Sequence, residues 1–265
     1  MRISVVGSGS RGNCLVIDAG TLRLAVDVGF GPRATATRLR AVGIAPESVA
    51  AAVLTHEHQD HAQGALDARE RWRWTLLGTA ETLRALPVGA ATARLLPTAY
   101  ETAQSVGDLR ITLFAIPHDA AAPAAVLIED ARTGMRVGIA HDLGVVPERL
   151  LSAFRDLDLA VLESNHDVEM LRSGPYPPAL QRRVAGGRGH LSNAQCAAWL
   201  REIAGPRLRH VVLAHLSETN NVPALAVREA RAALDAVRCR ATVVPADQRV
   251  PVQVGAAPDR QLALW

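Results

Sequence analysis

Short apolar runs bounded by Gly, Asp or Thr recur along the chain, and such runs predict β-strands. We predict strands over Ile3–Val6, Leu15–Ile17, Leu22–Val26, Ala51–Leu54, Leu109–Ile116, Ala125–Ile128, Val137–Ala140, Leu159–Leu162, Val211–Ala214 and Thr242–Val244. We predict helices over about Pro32–Val42, from near Ala62, and over about Ala80–Leu86, Pro147–Phe154, Asn193–Ile203 and Pro223–Val237. Because groups of strands alternate with helices in both halves, we expect an α/β fold with two mixed sheets between helices, an αββα sandwich.

The chain carries no Pro/Gly/Ser-rich linker and no internal repeat, so we predict one domain over residues 1–265. A loose tail is expected over about 251–265. With 49% hydrophobic residues, a chain of 265 residues can bury a full core. No apolar run reaches the ~18 residues that a membrane span needs, and no secretory signal opens the chain. The three cysteines are widely spaced and suggest no disulfide framework. We therefore expect a cytoplasmic protein with no membrane segment.

Charge and aromatic content restrict the candidate partners without selecting one. The formal net charge is +3, and all 29 basic residues are arginines. Arginine can hold phosphate through two parallel hydrogen bonds, but a mild positive bias is no evidence for a phosphate-rich substrate. Aromatic residues make up only 3% of the chain, which argues against a nucleic-acid binder built on base stacking.

The most informative segment is Leu54–His61, where an apolar strand ends in Thr-His-Glu-His-Gln-Asp-His. His56 and His58 are two residues apart, so in extended backbone both point to one side. Asp60 and His61 follow where the chain turns. Imidazole and carboxylate ligands together suit Zn²⁺, Mn²⁺ or Fe²⁺. The chain has nine histidines in total, so three within six positions are hard to explain as a chance His-rich loop. The segment predicts a metal site.

This segment resembles the Thr-His-x-His-x-Asp-His motif of the metallo-β-lactamase superfamily, and the resemblance covers most of the chain. It implies the same αββα fold. It also assigns Asp27, which ends the third strand, to orienting the histidine segment. His118, Asp142 and His215 match the remaining ligand positions of the superfamily. Each lies at or just beyond the end of an apolar run, where a sheet can present it rigidly.

The resemblance implies two divalent metal ions, Zn²⁺ or Mn²⁺, with Fe²⁺ as a further option. It assigns His56, His58 and His118 to one ion and Asp60, His61 and His215 to the other. Asp142 is the carboxylate that bridges them. The expected nucleophile is a bridging hydroxide, because such ions, ~3.5–4 Å apart, lower the pKa of bound water toward ~7. Asp60 and Asp142 are therefore expected to take part in catalysis. Histidine at position 58 favours hydrolysis over redox chemistry, and histidine at position 61 completes the second site, as in the nuclease and phosphodiesterase branches.

Further motifs extend the resemblance to the YycJ/WalJ-type subfamily. They are Ser8–Asn13, Glu163–Asp167, Gly174–Pro177, Gly189–Asn193 and His215–Ser217, followed by Asn220 and Asn221. Each motif is weak by itself, and their order and combination carry the match. That subfamily is associated with 5′-to-3′ exonuclease action on DNA. The resemblance therefore implies a bacterial nuclease-like hydrolase whose substrate is nucleic acid.

His190 is the most informative residue outside the predicted ligands. Related phosphodiesterases place a histidine after a glycine, where it bonds a phosphate oxygen or protonates the leaving oxygen. The alternative is a loop histidine packed on the next helix. Ser192 is a candidate N-cap of that helix, whose N-terminus can bind an anion. Arg188, like Arg182 and Arg183 before it, contacts a nucleic-acid backbone or belongs to a basic surface loop.

Three further features have open roles. His141 precedes Asp142 where a small polar residue is expected. It supports the site or lies on the surface, and a spare ligand is the less favoured option. His166 lines the cleft, bonds a ligand histidine or is structural. The Ser8–Asn13 turn either offers backbone N–H groups to a phosphate or only connects two paired strands.

Three hypotheses about function follow. The leading one is metal-dependent hydrolysis of nucleic-acid phosphodiesters, most simply as a DNA exonuclease. The second keeps the metals but assigns a small cyclic phosphodiester, thioester or lactone. The chain has no room for an inserted domain that would clamp RNA, so the cleft stays open to small substrates. The third is a non-catalytic regulatory or DNA-binding protein, although structural zinc sites usually close around one ion with four ligands. Metal identity, cleavage polarity and oligomeric state stay undetermined.

Overall fold

The computed structural model of the protein describes residues 1–87 and 93–255. The strands of these ranges are β1 (Arg2–Gly7), β2 (Cys14–Asp18), β3 (Arg23–Val26), β4 (Ala51–Val53), β5 (Thr75–Gly78), β6 (Leu95–Pro97), β7 (Gln104–Val106), β8 (Leu109–Ala115), β9 (Ala124–Asp130), β10 (Arg136–Ala140), β11 (Leu159–Glu163), β12 (His210–Ala214), β13 (Thr242–Pro245) and β14 (Val252–Gly255). The helices are α1 (Pro32–Ala41), α2 (Gln59–Ala62), α3 (Ala65–Trp72), α4 (Ala80–Ala85), α5 (Glu148–Ala153), α6 (Val168–Ser173), α7 (Pro178–Val184), α8 (Asn193–Ile203) and α9 (Pro223–Ala236).

The described strands form two mixed sheets, as predicted. One sheet has the order β14-β1-β2-β3-β4-β5-β6, and the other has the order β13-β12-β11-β10-β9-β8-β7. In the first, β1 to β3 pair antiparallel and β3 to β6 pair parallel. In the second, β7 to β10 pair antiparallel and β10 to β13 pair parallel. The parallel halves require crossover connections, which the helices supply.

Three hydrophobic clusters give the molecule four layers. The central cluster joins inward residues of both sheets, such as Ile17 and Val161. A second cluster packs α5, α8 and α9 on the outer face of the second sheet, where Trp199 stacks on Phe154. A third packs α1, α3 and α4 on the outer face of the first. Each sheet is therefore buried on both faces, which explains the near-continuous apolar strands. The predicted αββα sandwich is confirmed.

The parallel strands bring the polar segments of the chain to common edges. β3 and β4 are parallel neighbours, so Asp27 and the histidine segment leave the first sheet at the same edge. β10, β11 and β12 are parallel neighbours as well. Asp142, Glu163 and His215 therefore lie at one edge of the second sheet. In α/β sheets, ligands bind in the crevice at the carboxyl ends of such strands.

The helix predicted to begin near Ala62 is two helices, α2 and α3, separated at Gly64. A Cβ atom at Gly64 would lie 2.0 Å from the backbone oxygen of Phe30, so only glycine fits this close contact. Gly29 has the same role, because its Cβ would lie 1.8 Å from the oxygen of Asp60. The segment after β3 thus packs directly on the backbone of the metal-site loop.

The prediction of a loose tail from residue 251 was wrong for its first residues. Val252–Gly255 form β14, which pairs antiparallel with β1, and Ile3 faces Val254 across the pair. Val254 is buried, so the short alternation of valine with Gln253 reflects a half-buried strand. This strand covers an edge that β1 would otherwise expose. The rest of the predicted tail, residues 256–265, lies outside the described residues.

Several short elements escaped the sequence prediction. They are β5, β6, β7, α6 and α7. Each is seven residues or fewer, which is too short for a hydrophobic period to be distinguished from chance. The other predicted strands and helices are confirmed to within one or two residues at each end. In the described ranges, the longest and most apolar helices fall short of what is needed to cross a membrane.

Candidate metal centre

The histidine segment begins directly after β4 and is held by the carboxylate of Asp27. Asp27 Oδ1 accepts a hydrogen bond from the backbone N–H of Thr55 at 2.8 Å. Asp27 Oδ2 contacts Nδ1 of His61 at 2.7 Å, which orients that ring with its Nε2 outward from Asp27. Asp27 is completely buried. These contacts agree with the orienting role that the family resemblance assigned to it.

His56, His58 and His118 come together as a first group of candidate ligands. One ligand atom from each lies within 4.8 Å of the others. The ring centroid of His56 lies 4.6 Å from that of His58 and 5.2 Å from that of His118. His118 follows β8, so the first two rings come from one sheet and the third from the other. Three imidazoles converging across the sandwich suit a transition metal.

Asp60, His61 and His215 form a second group with the same spacing of ligand atoms. Asp142 lies between the two groups. Its Oδ2 is 3.9 Å from Nε2 of His56 and 2.7 Å from Nε2 of His61, while its Oδ1 is 3.4 Å from Nδ1 of His215. All seven residues that the sequence proposed as ligands are therefore brought to one place.

Unsatisfied buried atoms test whether these residues suit a metal ion. Three imidazole nitrogens of the candidate ligands are buried and have no hydrogen-bond partner among the described residues. They are His56 Nε2, His118 Nδ1 and His215 Nε2. A buried polar atom without a partner costs about 1–3 kcal/mol, so such atoms are rare unless a ligand satisfies them. The concentration of three of them among the candidate ligands fits divalent cations bound to this donor set.

The electrostatics of the group favour ionised carboxylates. Burial alone would raise the pKa of Asp142, but His215 and His61 outweigh it and hold that pKa well below its usual value. The same competition lowers the pKa of Asp60, again through His215 and His61. Burial and the neighbouring His61 lower the pKa of His56, which keeps its ring neutral. Ionised carboxylates and a neutral imidazole are the states that bind metals.

The sequence analysis missed Glu163, which is buried and lies directly behind the cluster. Glu163 Oε2 accepts hydrogen bonds from the backbone N–H groups of Leu143 and Leu191. Its Oε1 contacts Nδ1 of His190 at 2.7 Å. Burial alone would raise the pKa of Glu163, but His190 outweighs it and lowers this pKa to about 2. The signal that could have identified Glu163 was its position: it is an acidic residue at the end of an apolar strand, and the strands before and after it each lead to a candidate ligand.

His190 itself is part of the cluster, not a loop histidine packed on a helix. Its Nδ1 lies 3.2 Å from Asp142 Oδ1 as well as 2.7 Å from Glu163. Burial alone would lower the pKa of His190, but Glu163 and Asp142 raise it to about 11. In the metal-free protein this imidazole is therefore a proton donor at neutral pH.

The hydrogen bond to a ligand histidine, which was one role considered for His166, is made instead by its neighbour Asn165. Asn165 Nδ2 donates to the backbone oxygen of His215 at 2.9 Å and lies 3.3 Å from Nδ1 of the same ring. His166 is buried, and its backbone pairs with Ser192 and Asn193. Its Nδ1 has no partner among the described residues, and no bond to a ligand histidine is present there. The backbone of His166 is thus structural.

His141 is buried, so the hypothesis of a surface position was wrong. Its Nε2 lies 3.4 Å from Asp27 Oδ2, and its Nδ1 lies 3.6 Å from Asp142 Oδ2. Its ring centroid is 5.0 Å from that of His61. These distances place it behind the second group of ligands, beside two carboxylates, and its Nδ1 has no hydrogen-bond partner among the described residues.

Most backbone donors of the Ser8–Asn13 turn already have partners within the protein. The N–H groups of Gly9 and Gly12 donate within the turn, and those of Ser8 and Asn13 donate to neighbouring loops. This favours the structural interpretation over a phosphate-binding nest. The side chains still support the site. Ser8 Oγ accepts from the backbone N–H of His215, and Asn13 Nδ2 lies 3.0 Å from Nε2 of His61.

Ser192 is confirmed as the N-cap of α8. Its Oγ accepts from the N–H of Gln195, and the Gln195 side chain accepts from the N–H of Ser192, which completes a capping box. Two donors at the helix N-terminus are thus satisfied within the protein. Arg188 donates to the backbone oxygen of His118 at 3.1 Å, so its segment is attached next to the first ligand group.

The two ligand groups open into a cavity of about 280 Å³. Candidate ligands line this cavity, including His58, Asp60 and Asp142. It is also lined by Arg183, Arg188 and His190, together with residues of α7. A cavity that is lined by both metal-binding groups and cationic side chains suits an anionic substrate.

Comparisons with known proteins identify the family of the chain. The family described as β-lactamase superfamily domain matches residues 17–216. The chain is 30% identical to the exodeoxyribonuclease YycJ of Bacillus anthracis, over 85% of this chain and 86% of the relative. It is 29% identical to the exodeoxyribonuclease WalJ of Streptococcus pneumoniae, over 85% of each chain. The predicted resemblance is therefore confirmed.

Solved structures share the fold at low sequence identity. The metallo-β-lactamase fold protein YhfI of Bacillus subtilis matches with a TM-score of 0.71 and 15% identity, over 96% of this chain and 98% of its own. Yeast PDE1 matches with a TM-score of 0.70 and 13% identity, over 94% of this chain and 98% of its own. The chain therefore belongs to the β-lactamase superfamily, as a hydrolase with the metallo-β-lactamase fold whose clustered His and Asp residues fit divalent metal ions.

Proposed function

We propose that this protein hydrolyses phosphodiester bonds of nucleic acid, acting as a metal-dependent DNA exonuclease. The observation that carries the proposal is one cavity lined by two groups of metal-binding side chains, joined by Asp142, and by Arg183, Arg188 and His190. The names of the relatives support the choice of DNA. The oxygens of a phosphodiester carry negative charge, and this cavity offers them both metal-binding groups and cationic side chains.

Two divalent ions would be held by the residues that the sequence proposed. One would take His56, His58 and His118, the other would take Asp60, His61 and His215, and Asp142 would be shared. When bound, such a pair of ions supplies a hydroxide at neutral pH and neutralises charge on the phosphate oxygens. Asp27 and Asn165 hold the rings of His61 and His215 and so set their ligand atoms.

His190 is the proposed proton donor of the reaction. Glu163 accepts from its Nδ1, which leaves Nε2 as the nitrogen that reaches the substrate. The side chain is 21% exposed and lines the cavity. A protonated imidazole there can bond a phosphate oxygen and transfer its proton to the leaving oxygen of the cleaved strand. The raised pKa of His190, to about 11, keeps that proton in place at neutral pH in the metal-free protein.

The test is digestion of 5′-labelled single-stranded and duplex DNA with Mn²⁺ or Zn²⁺, comparing the wild type with Asp60→Ala. We expect the variant to lose at least ~10²-fold in rate, because a missing ligand removes several kcal/mol of metal activation. Asp67→Ala is the matched control, since Asp67 is a half-buried carboxylate that pairs with Arg71 on the same helix, α3. Equal rates for Asp60→Ala and the wild type would reject the proposal.

Small substrates are the competing outcome of the same test. A chromogenic phosphodiester and a thioester are assayed beside the DNA. Cleavage of either one by a wild type that leaves every DNA substrate intact would replace the nuclease proposal with a small-substrate hydrolase. Elemental analysis of the purified protein then counts the metals per chain. Two ions per chain are expected, and one or none would contradict the paired site.

A further inference from the structure

The cavity is also lined by a mostly exposed segment that we call the arm, residues 174–189. Its helix α7 has no buried residue, which is unusual for a helix beside an active site. Leu180, Arg183 and Val184 of α7 nevertheless line the same cavity as the candidate ligands. The arm therefore covers the site without forming part of the hydrophobic core.

Arg183 connects the arm to the ligand groups through one carboxylate. Its Nη2 lies 2.7 Å from Oδ2 of Asp119. Oδ1 of the same Asp119 lies 3.4 Å from Nε2 of His118. The backbone oxygen of Asp119 contacts Nε2 of His58 at 3.2 Å. A single residue, Asp119, thus connects the guanidinium group of Arg183 to two candidate metal ligands.

The ion pair that holds Arg183 is weak enough to be exchanged. The two side chains are 68% and 39% exposed, and exposed ion pairs contribute only about 0–1 kcal/mol. A phosphate can accept two parallel hydrogen bonds from a guanidinium group, which is a stronger arrangement. A substrate phosphate in the cavity therefore competes favourably with Asp119 for Arg183.

The other two arginines of the arm differ in ways that single out Arg183. Arg188 also lines the cavity, but its guanidinium donates to the backbone oxygen of His118 and so attaches the arm. Arg182 is exposed, does not line the cavity, and forms no ion pair within the described part of the chain. Arg183 alone combines access to the cavity with an exchangeable partner.

We propose that Arg183 binds a phosphate of the nucleic-acid strand beside the scissile bond, leaving Asp119 as α7 covers the strand end. The inference rests on the proposed function. A cavity of about 280 Å³ lies near the lower limit of ~300–1,000 Å³ for ligand sites, so it admits one terminal unit of a strand at a time. Arg183 is accordingly a specificity-determining residue for strand ends, and Arg182 is its matched control.

The experiment measures KM and kcat of Arg183→Ala, Arg183→Lys and Arg182→Ala on a 5′-labelled single strand. We expect Arg183→Ala to raise KM about tenfold with little change in kcat, because one charge-assisted phosphate contact is lost. Arg183→Lys keeps the charge without the planar fork, so its KM should lie between those of the wild type and Arg183→Ala. Arg182→Ala should change KM less than twofold. Binding of a phosphorothioate strand, followed by fluorescence anisotropy, should weaken in parallel and lose about one unit of salt dependence.

The binding measurement separates phosphate contact from simple attachment of the arm. If Arg183 binds phosphate, Arg183→Ala weakens strand binding and lowers its salt dependence together. A rise of KM in Arg183→Ala with unchanged strand affinity and unchanged salt dependence would mean that the ion pair only holds the arm, and would overturn the inference. Equal effects of Arg182→Ala and Arg183→Ala would overturn it as well. In both cases an active wild type leaves the proposed function intact, whereas a wild type that cleaves no DNA removes both.

Discussion

The candidate ligands, which we call the ligand wall, and the arm line one cavity but are built in opposite ways. On the ligand wall, His56, His61 and Asp142 are at most 2% exposed, and His56 and Asp142 follow strands of the two sheets. On the arm, the Arg183 side chain is 68% exposed and α7 buries nothing. One wall is held by two sheets and a shell of buried hydrogen bonds, and the other by a few exchangeable contacts.

Backbone strain marks the same difference. Asp27, Asp142 and His215 have φ angles of 59°, 58° and 53°, in the left-handed region that residues other than glycine rarely adopt. Such residues cost about 1–3 kcal/mol each and persist only where the surroundings determine them completely. All three lie just after strands on the ligand wall. The comparison teaches that the ligand wall is preorganised for chemistry, while the arm can adapt to a substrate.

The largest expected effect is that of Asp142→Ala on the ligand wall. Because Asp142 contacts both groups of ligands, its loss should disturb both metals and reduce the rate at least ~10³-fold. Rates and metal content are measured on the same preparation. A variant that keeps two metals per chain and a near-normal rate would contradict the bridging assignment.

Removing the metals should lower the stability of the ligand wall. Ligand present at about 100 times its Kd contributes about 2.7 kcal/mol, which for a chain of this size corresponds to about 5–10 °C in Tm. Thermal unfolding with a chelator is compared with unfolding in excess Zn²⁺ or Mn²⁺. The shift should be smaller in Asp142→Ala. Identical Tm values with and without metal in the wild type would argue against tight binding.

Glu163→Gln should reduce kcat about tenfold to a hundredfold, because it removes the carboxylate that orients His190. Glu163 raises the pKa of His190, so its loss lowers that pKa and the ring loses its proton at a lower pH. The alkaline limb of the kcat profile should therefore move to lower pH. Glu169→Gln, an exposed carboxylate of α6, is the control. A uniform loss at all pH values would assign Glu163 to structure alone.

The smallest effect is expected on the arm. Arg182→Ala should change the free energy of unfolding by no more than about 0.5 kcal/mol, because the side chain is exposed and packs on no core. Urea unfolding of the metal-loaded protein measures this value. A loss above 2 kcal/mol would show that the arm is as integral to the fold as the ligand wall, and the contrast between the walls would disappear.

Local sequence was sufficient to predict four of the seven candidate ligands and most of the helices and strands. Four candidate ligands lie within six residues after an apolar strand, so spacing alone brings them together: His56, His58, Asp60 and His61. His118, Asp142 and His215 were proposed through the family resemblance, and each follows a recognisable strand. The capping box at Ser192 is also local, because its partner Gln195 is three residues away.

The tertiary structure decided which residues support those ligands. Glu163 and His190 are 27 residues apart, and Asn165 and His215 are 50 apart, so no local period relates them. The pairing of β14 with β1 joins the two ends of the described chain, which is why residues 252–255 resembled a tail. Parallel pairing of β10, β11 and β12 set these contacts, and it depends on packing across the whole sandwich. Sequence thus determined the chemistry that short-range spacing encodes, and the tertiary structure determined every partnership formed by strands meeting at a common edge.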